Sequence, residues 1–511
     1  MDTLKAIIAT LTPTETKEFR AFIHRQKQKK ERKDLELFEL LLLPKKFKSK
    51  EIVDQLYNDQ SYNSKNAYHT LRKRLIKHLA DFIVLKGMDE DPSAASTVMG
   101  LVSLARYLFD KDLTQLGWNY LRKAEEMAIL NEQYALLNTI YNLQIERIDD
   151  EESEDLKVVI KKHAENKKIV DEDERAMIAN KIIMQQFEEI KMAGREFNIE
   201  LIVAQVLRVY DLSHVVTQRP KLLYNTLNIT RNATLITKNF SSFVPYATDK
   251  YKQAEKYNAF NKSNHWYKLS ILYMICHALY RNKRFDECNK YLEEFHQNIL
   301  QFNQAHYHKF YPKYILLKSA IQNYQGGVQL GIETLTGAIH KKGLRMSQED
   351  LLDMKLNLSV YHFNSGEYKT ANKAIMDINH SDSWCEKKMG IDWTLRKSLI
   401  ETIIQFEMGN EEIALNRIRS INRAYSNSFN QEAYKKAKIF LDFIRYYIQD
   451  TRLVKEEKFL KKAEDALGKV PLHQFGIQTI AFYAWIKSKI DNRNYYDVMV
   501  EMVNQKVEVF A

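Results

Sequence analysis

Helix breakers are scarce in this chain of 511 residues, which holds only 7 prolines and 14 glycines. Both residues interrupt helices, so their scarcity, beside abundant Leu, Ile, Lys, Glu and Ala, points to nearly continuous helix. Cysteine is scarcer still. Cys276, Cys288 and Cys385 are too few for a disulfide scaffold, which needs a dense, even set. Long apolar runs are missing: Leu40–Leu43 and Ile271–Cys276 fall far short of a bilayer span. The N-terminal stretch MDTLKAIIATLTPTETKEFR has no small-residue cleavage site. The expectation is a cytoplasmic protein without membrane insertion. Catalytic motifs are missing as well: no G-x-x-x-x-G-K-[ST], G-x-S-x-G, H-E-x-x-H or C-x-x-C occurs. Gly326, Gly327 and Gly331 lack flanking strands and read as packing positions. No catalytic residue, cofactor or metal site is expected, and the chain does not read as an enzyme.

What is present is a spacing. Turn residues recur at steps of about 42 near Asp110, Glu152, Gly194, Asn239, Asn282, Gly326, Gly366, Gly409, Asp450 and Asn492. Long apolar-periodic segments lie between them. A sustained period of this size is the mark of an α-solenoid built from stacked helix pairs, which works by presenting an extended surface. The spacing predicts about ten pairs over residues 97–511. The acidic stretch 149–155 is expected to open a helix, where negative charge is favourable. The segment from Arg219-Pro220 to Pro245 is expected to be irregular.

The net charge of +11 is unevenly placed. Residues 1–87 hold 19 Lys and Arg against 11 Asp and Glu, an excess of eight that leaves only three for the remaining 424 residues. This first segment reads as a basic helical domain, followed by a polar linker at 88–96. Thr12-Pro13-Thr14-Glu15 is a helix start: Thr12 caps, Pro13 suits the first turn and Glu15 completes a capping box. A third helix carries Leu35, Phe38, Leu41 and Leu42. Ser49 caps a helix to Tyr57, and Ser64 caps a long one to Lys86, which Gly87 ends. These last two have the outline of a helix-turn-helix, with Lys65, His69, Arg72, Lys73, Arg74 and Lys77 on the second helix and Leu71, Leu75, Ile76, Leu79, Phe82 and Ile83 at helical spacing. Such a basic face suits phosphates or a major groove. It equally suits a solvated cap on the first repeat.

The clearest repeat unit is LNLSVYHFNSGEYKTANKAIMDI, Leu356 to Ile378. Gly366 permits a left-handed turn, Tyr368 plugs the gap between paired helices and Ala371 permits close packing. Phe285, Cys276 and Cys288 take the aromatic and small-residue places in a second unit, and Gly409 with Ala414 match a third. These units resemble tetratricopeptide repeats. The resemblance implies a right-handed superhelical solenoid holding a peptide or partner protein on the face of each pair's first helix. By register that face includes Tyr273, His277 and Tyr280 in one unit, and Asp353, Leu356 and Phe363 in another.

The first function expected is therefore a non-enzymatic scaffold or adaptor with a protein or peptide partner. A second is a transcriptional regulator whose N-terminal module binds nucleic acid while the array senses a ligand. That layout is similar to peptide-sensing regulators of Gram-positive bacteria and to bacterial repeat proteins of the Bacteroidota with an N-terminal helical module. Cys276 and Cys288 fall at small-residue places and are expected to pack. His306 and His308, two apart, are expected to face different ways.

Overall fold

The computed structural model describes residues 3–26, 33–43, 47, 49–58, 61–90, 94–193, 199–237, 243–430, 432–450, 452 and 476–504. Among them the protein is all-α, with 24 α-helices, two short 3-10 turns and no strand. The chain divides into two compact units, Met1–Asp171 and Glu172–Ala511.

The first unit opens with α1 (Thr3–Ile8), α2 (Pro13–Gln26), α3 (Lys33–Leu42), α4 (Ser49–Tyr57) and α5 (Tyr62–Glu90). The capping box forms as expected: Thr12 N donates to Glu15 Oε2 at 2.7 Å, and Glu15 N donates to Thr12 Oγ1 at 3.2 Å. Leu4, Phe19, Phe38, Leu71, Leu75, Leu79 and Phe82 form the core of this bundle. Three expectations need correcting. Helix α5 starts at Tyr62 and is capped by Ser61, whose Oγ accepts from Ser64 N at 3.2 Å, so Ser64 itself lies inside the helix. Gly87 also lies within α5, because a helical glycine costs only about 1 kcal/mol relative to alanine and does not stop a helix by itself. Ile76 and Ile83 point outward, at 38% and 42% exposure.

After α6 (Ala95–Phe109), α7 (Thr114–Leu130) and α8 (Tyr134–Glu146) comes α9 (Leu156–Ala193), within which the two units divide. Asp155 caps it, accepting from Lys157 N at 2.8 Å. The period leads one to expect a helix pair here, yet 156–193 is one helix of 38 residues. The reason is visible in its composition: it contains neither glycine nor proline. The expected turns at Gly194 and Asn239 lie outside the described residues.

The second unit continues with α10 (Ile199–Val209), α11 (Pro220–Thr237), α12 (Phe243–Lys256), α13 (His265–Arg281), α14 (Phe285–Ile299), α15 (Tyr307–Tyr324), α16 (Val328–Ile339), α17 (Gln348–Asn364) and α18 (Tyr368–Met376). Then come α19 (Asp382–Met389), α20 (Ile391–Glu407), α21 (Glu411–Ala424), α22 (Glu432–Gln449), α23 (Ile477–Asp491) and α24 (Tyr495–Asn504). The segment expected to be irregular is largely helical. Pro220 opens α11 and Pro245 sits in the first turn of α12, the one place where a proline costs a helix nothing.

Helices fold back in pairs: α6 on α7, α13 on α14, α15 on α16, α17 on α18, α20 on α21 and α23 on α24. One turn joins most of them. A left-handed residue (Asp112, Lys283, Gly326, Gly366, Gly409, Asn492) is followed by one whose N–H reaches back five residues. Arg284 N donates to Leu279 O at 3.0 Å, Glu367 N to His362 O at 2.9 Å, and Asn410 N to Gln405 O at 2.9 Å. This bond satisfies carbonyls that the helix end would leave bare. The same turn forms at Lys283, φ 59°, and at Gly366, φ 80°, so packing imposes it even where no glycine relieves the strain.

Beside each of these turns two small residues meet twelve positions apart: Ala105 with Gly117, Cys276 with Cys288, Ser319 with Gly331, Ser359 with Ala371, and Thr402 with Ala414. Cys288 Sγ donates to Cys276 O at 3.1 Å, and Ser359 Oγ donates to Ala371 O at 2.8 Å. A Cβ on Gly331 would stand 3.1 Å from Ser319 O, and one on Gly117 only 2.5 Å from the Phe109 ring. Helix backbones in these pairs thus approach as closely as side chains allow.

Candidate functional site

The small residues set a register for one face of the second unit. Six positions before Cys276, Ser319, Ser359 and Thr402 stand Ser270, Lys313, Asp353 and Arg396; one position after stand His277, Ala320, Val360 and Ile403; four after stand Tyr280, Asn323, Phe363 and Phe406. Asn364 Nδ2 donates to Asn323 Oδ1 at 2.8 Å, a rung between neighbouring helices.

Part of this face is covered by the chain itself. Tyr496 Oη donates to Asn323 O at 2.5 Å, and Asn504 Nδ2 donates to Tyr324 O at 2.7 Å. The Tyr495 ring lies 5.4 Å from that of Phe363. Trp485 Nε1 donates to Glu407 Oε1 at 2.6 Å, and Lys489 Nζ lies 2.6 Å from the same oxygen. The α23–α24 pair therefore rests on the ends of α15, α17 and α20. Between them remains a cavity of about 50 Å³ lined by Tyr324, Val360, Phe363, Arg396, Trp485 and Tyr495 among others. It has room for one or two waters.

This cover changes the expected lining. Leu356 is fully buried among the side chains of α18 and α20, and Phe363 is 8% exposed beneath Tyr495. Both belong to the interior. Tyr273, His277, Tyr280 and Asp353 remain partly accessible, and the fold surrounds them with groups that the sequence reading did not name. Arg231 Nη2 lies 3.5 Å from His277 Nδ1 and its guanidinium 6.0 Å from the Tyr273 ring. Lys313 Nζ stands 5.7 Å from that ring and donates to Asp350 Oδ1 at 3.0 Å. Trp393 Nε1 donates to Asp353 Oδ1 at 2.8 Å, and Arg396 Nη2 to Asn357 Oδ1 at 3.2 Å. The Tyr280 and Tyr324 rings are 6.3 Å apart.

The electrostatics of this cluster are positive. Burial, then Arg231 and Arg281, push His277 down to about 3, so its imidazole is neutral at physiological pH. Burial also lowers Arg281; Tyr280 opposes this, while Arg396 and Arg231 reinforce it. Burial raises Asp353 above the usual carboxylate range even though Trp393 and Arg396 favour its anion. Lys313 and Arg396 share a position in the register with Asp353 and could have been found from it. Arg231, on a helix outside the clear repeats, carried no such signal.

In the first unit, Lys65, His69, Lys73, Arg74 and Lys77 are exposed along α5. Arg72 is half-buried, donating to Tyr68 Oη at 3.1 Å. Arg74 Nε stands 3.7 Å from Asp34 Oδ2 while its side chain stays 54% exposed. The apolar residues opposite, Leu71, Leu75 and Leu79, are buried.

Cys276 and Cys288 are free thiols in full burial, and burial raises Cys276 well above the ordinary thiol range. His306 stacks near His265 at 6.2 Å, whereas His308 Nδ1 accepts from Arg345 N at 3.2 Å, so the two do serve different neighbours. Among the described residues no group of His, Cys, Asp and Glu is arranged to hold a metal, and no helix is long and apolar enough to cross a membrane. A second cavity, about 330 Å³, lies beside Asp382, Ser398 and Arg417. Its charges are mutually satisfied: Arg417 Nη2 meets Asp382 at 2.7 Å and Glu401 at 2.6 Å, and Lys397 meets Asp382 at 3.2 Å.

No family model matches the chain, and no curated protein matches it in sequence.

Proposed function

We propose that this protein is a non-enzymatic, cytoplasmic interaction scaffold in which a tetratricopeptide-like, right-handed solenoid holds a peptide or partner protein. The observation that carries this reading is the shared register. Small residues recur at spacings of 43, 40 and 43 along Cys276, Ser319, Ser359 and Thr402, and each brings the same helix face to the same side of its pair. Stacked pairs of this kind offer an extended surface rather than a reaction pocket. Site-specific photo-crosslinking tests it. A crosslinker at Tyr280 should capture a partner in cells, whereas one at Leu330, exposed on α16, should not. Capture from position 330 with none from position 280 would sink the reading.

A second reading, a regulator with a nucleic-acid-binding N-terminal module, draws support from one observation. Lys65, His69, Lys73, Arg74 and Lys77 stand exposed together on a single helix. Phosphate contacts need that arrangement.

A further inference from the structure

We propose that the ligand of the second unit's face is an acidic peptide, held through its carboxylates by Arg231, Arg281 and Arg396. The proposal rests on the scaffold reading and names its ligand class. Three guanidiniums come from three different helices, α11, α13 and α20, and the field of Arg231 and Arg396 is felt at Arg281. Lys313 adds a fourth cation. The carboxylates that act on this cluster are Asp350 and Asp353, and each already has a partner. Asp350 accepts from Lys313 and, at 2.7 Å, from Ser347 Oγ; Asp353 accepts from Trp393 Nε1. Four cations against two anions leave the face with a positive surplus, in surroundings that are partly desolvated. Such a place favours an incoming anion more than a solvated lysine patch does.

The residue types narrow the class further. Guanidinium forks match carboxylates in bidentate geometry. Tyr273 and Tyr280 offer flat apolar faces between the charges, as peptide side chains require. Asp350 and Asp353 would repel a continuous phosphate backbone laid across the same surface. A peptide can place its carboxylates at the arginines and its neutral residues elsewhere.

The test is a selection of random decapeptides displayed on a surface, using the full chain as bait. Retained peptides should be enriched in Asp and Glu, and a fluorescein-labelled member should bind about tenfold more weakly to Arg281→Gln/Arg396→Gln. Binding should also weaken as salt rises. The charge-keeping Arg281→Lys/Arg396→Lys variant should recover part of the affinity, and circular dichroism melts establish that each variant folds. Enrichment in basic or neutral peptides, or an acidic peptide that binds the Gln variant unchanged, overturns the proposal. So does an oligonucleotide that outcompetes the acidic peptide at this face. If position 280 still crosslinks a partner when acidic peptides fail, the ligand class is wrong and the scaffold reading stands. If both fail, the scaffold reading falls too.

Discussion

The two basic surfaces of this molecule hold their charge in opposite ways. On α5 of the first unit, five of six named basic residues project into water from one continuous stretch of sequence, with Arg74 leaning on Asp34. On the second unit, Arg231, Arg281 and Arg396 come from positions up to 165 residues apart and sit half-buried among tyrosines. The first surface is conspicuous in composition, since residues 1–87 carry most of the excess charge. The second belongs to a stretch whose net charge is close to neutral. Charge count locates solvated faces. Desolvated charge clusters arise from packing, and only there does a cation act strongly enough on its neighbours to push His277 down to about 3.

The comparison is broken most forcibly by removing what covers the second surface. Trp485→Ala empties a site that is 2% exposed and removes the donor to Glu407. It should cost about 3–5 kcal/mol. Hydrogen exchange should then rise over 477–504, and an unchanged exchange pattern would mean that α23–α24 is not held by this residue. Ala371→Glu comes next. Its side chain is fully buried against α17, where Ser359 Oγ reaches its carbonyl. A charge forced into that joint should destabilise by roughly 2–4 kcal/mol. A thermal melt decides it, and an unshifted midpoint would contradict the close approach of the pair.

Acid sharpens the comparison more gently. His277 is neutral in the folded state and takes a proton there only near pH 3, whereas the unfolded chain takes it near the ordinary imidazole value of about 6.5. Between those values the unfolded state binds more protons. Stability contributed by this group is therefore present above about pH 6.5 and lost as pH falls toward 3. His265 and His306, both lowered by burial, act in the same direction. Replacing His277 by Gln should flatten the loss of melting temperature between neutral pH and pH 4. A slope equal to wild type would remove His277 from the account.

The smallest effect belongs to the first surface. Neutralising Arg72, Lys73, Arg74 and Lys77 to Gln should change stability by no more than about 0.5 kcal/mol, because three of the four are exposed. With the scaffold reading, mobility shifts at about 150 mM salt should show no sequence-selective duplex binding by either protein. If wild type does bind, each lost phosphate contact should lower the log–log salt slope by about 0.9, and the regulator reading moves ahead.

Much of the helix grammar was local and therefore legible. Thr12 and Glu15 are three residues apart, and their capping box needs nothing beyond the chain between them. The turns at Gly326, Gly366, Gly409 and Asn492 are likewise written in residues that tolerate positive φ. Cys288, Ala371 and Ala414 announce close helix contact by their size. What sequence could not decide was which faces stay open. Phe363 occupies a lining position by register, yet Tyr495, 132 residues later, covers it. The turn at Lys283 carries no glycine, and α9 runs through a full period without one. The arginine cluster likewise exists only because α11, α13 and α20 pack near one another. Helix starts and stops follow from interactions over three to five residues, whereas burial and the field at a site depend on contacts between segments that the chain order keeps far apart.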